Sequence, residues 1–190
     1  MEAHQSKTKI FKYNAILSMI FFLMSTFYLG VQTKNYSFTE YTISNMVGFL
    51  NQYQLSFFNS LFFIKCFLDL SFTYYVFKYY QLHLKTLTAI VWLIAVLSFG
   101  LLGFFPAHQF ELIHLGIVII TFISWTFSQY ALAKLTKDEG FVYFTNNLIL
   151  IQFLVAIVFL FFNYFNAVSE TIYFLLIFFW LTIFIGRYLK

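Results

Sequence analysis

The sequence predicts an all-α, polytopic integral membrane protein: a single domain, residues 1–190, built as a bundle of six transmembrane helices with both termini cytoplasmic. Three observations predict it. Apolar residues make up 62% of the 190 and charged residues 9%, at a mean hydropathy of +0.82, against roughly 45–50% and about 25% in soluble domains. A soluble core cannot use that much apolar surface. The apolar residues fall into six runs, at about 14–31, 55–77, 86–105, 112–133, 141–164 and 171–186, each near the length of about 20 residues that crosses a hydrocarbon core. Nine of the eleven Lys and Arg lie in the tails and alternate links of this scheme, and Lys34 alone lies in the opposite links. The Lys-rich side is cytoplasmic.

Each run is justified in chain order. Lys7, Lys9 and Lys12 form a positive flank before helix one, which exceeds the roughly 7–15 residues of a signal-peptide core and has no small-x-small cleavage site after it, so it is expected to be retained. The polar stretch 32–54 is a loop with a short interfacial helix around Thr42 to Gly48. Within it, Asn35-Tyr36-Ser37 fits a glycosylation acceptor in a eukaryotic secretory host. Helix two is unusual in carrying Lys65 and Asp69 near its middle, and a basic link then leads to helix three. Pro106, the single proline, follows Gly100 and Gly103 and should end helix three, because proline lacks the amide donor and restricts the residue before it. Its link to helix four holds no Lys or Arg, whereas Lys134 and Lys137 lead to helix five. A turn at 165–170 precedes helix six, which closes on Arg187 and Lys190.

Ionisable residues in mid-span cost several kcal/mol unless paired or hydrated. At i,i+4, Lys65 and Asp69 share a helical face and can pair, and on a 100° wheel Asn59, Cys66 and Thr73 join them in an inward polar stripe. Helix four carries a second stripe, His114, Thr121, Ser124 and Ser128, expected to face helix two. Packing and interhelical hydrogen bonding account for the hydroxyls, while His114, one turn beyond Glu111 at the hinge, suits acid–base work, ligation, pH sensing or a locking hydrogen bond. Cys66 is the lone cysteine, which excludes a disulfide within the chain. The histidines offer no pair at one depth on facing helices, so no cofactor or metal is expected. The 30 Phe and 14 Tyr exceed an interfacial belt, so many rings must interdigitate or face lipid.

Gly103-Phe104-Phe105-Pro106 followed by His114 resembles the signature of the membrane family catalogued as domain of unknown function 998. Ile43-Ser44 with Gly48 is similar to that family's Ile-Ser-x-x-Gly segment in the first outer loop, and Phe58-Asn59 to its Phe-Asn at the start of helix two. The resemblance spans the first two-thirds of the chain and implies a six-helix bundle without an assigned activity. Lys65 departs from the small or apolar residue usual at its place.

Three function classes follow. The leading expectation is binding or handling of a lipid, small molecule or ion in an outward-opening polar cavity between helices two and four, with Asn59, Lys65, Asp69, His114, Glu111 and Ser44 as candidate residues. The alternatives are an accessory or scaffolding subunit of a larger membrane complex, and a membrane-embedded enzyme acting on a lipid headgroup. For the enzyme, Ser44 or Cys66 with His114 is conceivable, although no Gly-x-Ser-x-Gly elbow is present. The expected partners are the lipid bilayer, bound lipid and other membrane subunits, and the expected location is a bacterial cytoplasmic membrane. Nucleic acid is excluded, because orientation in a membrane accounts for the net charge of +4.

Overall fold

The computed structural model describes residues 9–161 and 166–189, and these are wholly helices and links. They form α1 (Asn14–Gln32), α2 (Gln52–Tyr79), α3 (Leu87–Leu101), α4 (Glu111–Leu135), α5 (Glu139–Phe161) and α6 (Ala167–Tyr188), with 3-10 helices at Lys9–Tyr13 and Ser44–Phe49. Five of the six α-helices are long and apolar enough to cross a membrane. At 15 residues, α3 is not, since it reaches about 22 Å at 1.5 Å per residue.

Capping chemistry explains why three helices start earlier than their apolar runs. The Asn51 side chain accepts from the Tyr53 and Gln54 amides, and the Gln54 side chain accepts from the Asn51 amide in return. This capping box starts α2 three residues before Leu55. Asn166 and Ser169 make the same reciprocal pair at α6, and the Asp138 carboxylate accepts the Phe141 amide at 3.0 Å at the start of α5. The end expected for helix five at 164 lies outside the described residues. Helix three stops at Leu101 rather than 105. Tight turns follow, with the Gly103 amide on the Gly100 carbonyl at 3.2 Å and the Phe104 amide on that of Leu101 at 3.0 Å. Pro106 then opens a separate turn, its carbonyl accepting from Gln109 and Phe110, so helical bonding is broken between Ser98 and Thr121 as the proline requires.

The helices pack in chain order, each against the next, and α6 closes on α1. Helices α2 and α4 are therefore not neighbours in the way their polar stripes suggest. Thr121 on α4 donates to Ser98 on α3 at 2.8 Å, which places that stripe against α3 and the bundle axis. Links fix which ends lie together. The Ala167 amide donates to the Tyr41 carbonyl at 2.8 Å and His114 meets Ser44, so the starts of α4 and α6 share an end with the 33–51 loop. At the other end Arg187 pairs with Asp138 at 3.1 Å.

The close-packed interior is aromatic. Phe22 meets Phe62, Phe99 and Phe174 edge-on at centroid separations of 5.2–5.8 Å, a favourable geometry for rings from four helices. Gly100 lets α3 approach α2, since a Cβ there would stand 2.8 Å from the Cys66 sulfur. The outer surface is apolar too: Phe67 is 73% exposed in mid-helix and Met24 65%.

Candidate binding cavity

Helix α2 presents Lys65 and Asp69 to the axis, and both are buried. They form an i,i+4 ion pair through Asp69 Oδ2. Asp69 Oδ1 accepts from the Ser18 hydroxyl of α1 at 2.5 Å, so both carboxylate oxygens are satisfied. The Lys65 ammonium lies 4.8 Å from the Phe99 ring centroid and 5.1 Å from that of Trp125, an aromatic cage from α3 and α4. Among the described residues its hydrogen-bond acceptor is Asp69, so one acceptor serves a group with three N–H donors. One turn on, the Thr73 hydroxyl donates to the Asp69 carbonyl at 2.7 Å and accepts from Trp92 Nε1 at 2.5 Å. Four helices thus converge on one charge pair.

Beside Lys65 lies a cavity of about 100 Å³, to which all six helices and the 33–51 loop contribute. Its walls are mostly apolar and aromatic, Phe62, Phe99, Phe122, Trp125 and Phe174 among them. Lys65, Thr121 and Tyr173 are polar residues on its helical walls, and Ser44, Ser169 and Glu170 stand at its loop end. The cavity expected between two helices is instead axial, because a ring of six helices in chain order leaves its space at the centre.

The loop end is held by polar contacts. Glu170 Oε2 accepts the Ile43 amide at 2.6 Å, and Asn166 Nδ2 donates to the Thr39 carbonyl at 2.7 Å. The Tyr36 hydroxyl donates to the Thr42 carbonyl at 3.2 Å. Burial, with the Glu170 carboxylate nearby, pushes the Tyr36 phenol well above its ordinary range. His114 is buried, with Nδ1 at 2.7 Å from the Phe105 carbonyl oxygen and Nε2 at 2.9 Å from the Ser44 hydroxyl.

The candidate residues separate accordingly. Lys65 and Ser44 line the cavity, Asp69 stands behind Lys65, and His114 stands behind Ser44. Glu111 is exposed on the first turn of α4, and Asn59 is half-buried where its carbonyl approaches Gly103, so neither reaches the cavity. Glu111 and His114 stand at the Glu-x-x-His spacing of carboxylate metal sites. Both nitrogens of His114 are already engaged, however, and no group of three or more His, Cys, Asp or Glu among the described residues could hold a metal ion. Ser18 and Glu170 were not foreseen. Their signals in the sequence are faint: Asn14 and Ser18 at i,i+4 on an apolar helix, and one acidic residue at the head of the last apolar run.

No protein-family model matches the chain, and neither does any curated protein or solved structure.

Proposed function

We propose that this is a six-span integral membrane protein of a bacterial cytoplasmic membrane, with both termini inside, that binds an acyl chain or similar apolar molecule in the axial cavity. The observation that carries the reading is Lys65, a buried ammonium with one hydrogen-bond acceptor among the described residues, lining a space walled by aromatic rings. Pockets of this kind, apolar with a few placed polar groups, bind ligands whose body is apolar and whose head offers an acceptor. Membrane embedding is supported by five long apolar helices and by their lipid-like outer surface. On this reading α3 and the turns to Pro106 cross together as the shortest span.

Trp125 lines the cavity and makes the test direct. Titrating 8-bromooctanoate into the detergent-solubilised protein should quench tryptophan emission saturably, since bromine quenches on contact. Trp125→Phe should remove the saturable part, and Lys65→Met should weaken it by removing the partner of the carboxylate. Linear, unsaturable quenching that is identical in the protein and in Trp125→Phe would eliminate binding at the cavity.

A further inference from the structure

We infer that Ser44 and His114 are a nucleophile and general base acting on a carboxylic ester whose acyl chain occupies the axial cavity, an inference that rests on the binding reading above. A carbonyl oxygen only accepts, so the 2.7 Å contact from His114 Nδ1 to the Phe105 carbonyl places the proton on Nδ1. In the neutral ring Nε2 then carries the lone pair. It lies 2.9 Å from Ser44 Oγ, and the serine hydroxyl donates to it. A nucleophile within hydrogen-bond reach of a base, with the base oriented from behind by a third group, is the arrangement that activates serine. Here a backbone carbonyl supplies the third group.

Placement agrees with the role. Ser44 is half-buried and lines the cavity, while His114 is buried and outside its lining. The backbone on both sides of Ser44 is fixed: Glu170 holds the Ile43 amide, and the Thr42 side chain accepts the Asn45 amide at 3.0 Å. The hinge carbonyl is fixed by the turns that end at Pro106. Three separate parts of the chain therefore set the pair.

The reaction is ester hydrolysis. Ser44 Oγ bonds to the acyl carbon as its proton passes to His114 Nε2. The ester C–O bond breaks, and the leaving alcohol takes that proton. Water then gives a proton to Nε2 and its oxygen to the acyl carbon, and the departing serine recovers the proton. Ester and water become acid and alcohol, with no oxidant or second reactant.

A fluorophosphonate probe tests this on the full chain in detergent. The expected result is one covalent adduct, mapped by mass spectrometry to the peptide containing Ser44, absent in Ser44→Ala and slowed by 8-bromooctanoate. His114→Gln should slow labelling by about 10²–10⁴-fold, the usual contribution of a general base. A purely structural hydrogen bond would produce no adduct. If Ser44 stays unlabelled in a preparation whose Trp125 quenching saturates, the catalytic inference falls and the binding reading stands. Labelling of Ser44 at an unchanged rate in His114→Gln would remove the base and overturn the inference as well. Mapping on the unaltered protein keeps the test decisive should either variant fold poorly.

Discussion

At the scale of single residues, Asp69 ties α2 to α1, its two oxygens serving Lys65 and Ser18, with all three residues buried. Removing one partner of a buried pair costs about 3–5 kcal/mol, because the other charge is left alone, whereas replacing both by apolar groups can be nearly neutral. Asp69→Leu should therefore lower the thermal midpoint in detergent sharply, and adding Lys65→Met should restore it. Equal midpoints for Asp69→Leu and the unaltered protein would refute a coupled pair. Ser18→Ala should fall between them, since a hydrogen bond to a charged group is worth about 1.5–3 kcal/mol. The pair was legible in the sequence because i,i+4 spacing is a property of one helix. Ser18 was not, for it depends on how α1 is rotated against α2, and a single hydroxyl in an apolar run does not specify that.

At the scale of elements, caps decide where the chain turns. Asn166→Ala removes the oxygen that accepts the Val168 and Ser169 amides and the amide that holds Thr39. The cap alone is worth about 1 kcal/mol, so the substitution should lower the midpoint and speed hydrogen exchange at the first amides of α6. Unchanged exchange there would count against the cap. The far end of α6 carries a pH dependence. Asp138 accepts from the Tyr188 hydroxyl at 2.6 Å, from the Phe141 amide and from Arg187, and these hold its carboxyl below the usual range. Its folded pKa is depressed, so its stabilisation is complete above the ordinary carboxylate pKa near 4 and is lost as pH falls through the lower folded value. A midpoint measured from pH 6 down to pH 2 should drop in that window, and less so in Asp138→Asn. Parallel curves would remove Asp138 from the explanation. Helix existence was readable from hydropathy and the break at Pro106 from proline chemistry. Starts were misjudged because Asn51, Asp138 and Asn166 look like loop residues until their side chains are seen folding back on amides.

At the scale of the whole molecule, packing in chain order with α6 against α1 was not legible, since hydropathy gives the runs and not their neighbours. Lys65, Asp69 and Thr73 of α2 are buried whereas Asn59 and Cys66 are half-buried, Thr121 of α4 bonds to Ser98 of α3, and a ring rather than a pair of facing helices made the cavity axial. The proposed topology predicts that a cysteine at Gln109 is labelled by an impermeant thiol reagent from outside the cell and one at Lys137 is not; the opposite pattern would invert the orientation. One further consequence belongs to the order of synthesis. For a chain that enters a bilayer helix by helix, α2 arrives with Lys65 already neutralised by Asp69 on its own next turn, and with Ser18 waiting on α1, which is made before it. The Phe99 and Trp125 rings that later enclose the ammonium have not yet left the ribosome. An ion pair confined to one span therefore lets the insertion machinery release a charged segment before the bundle that will shelter it exists.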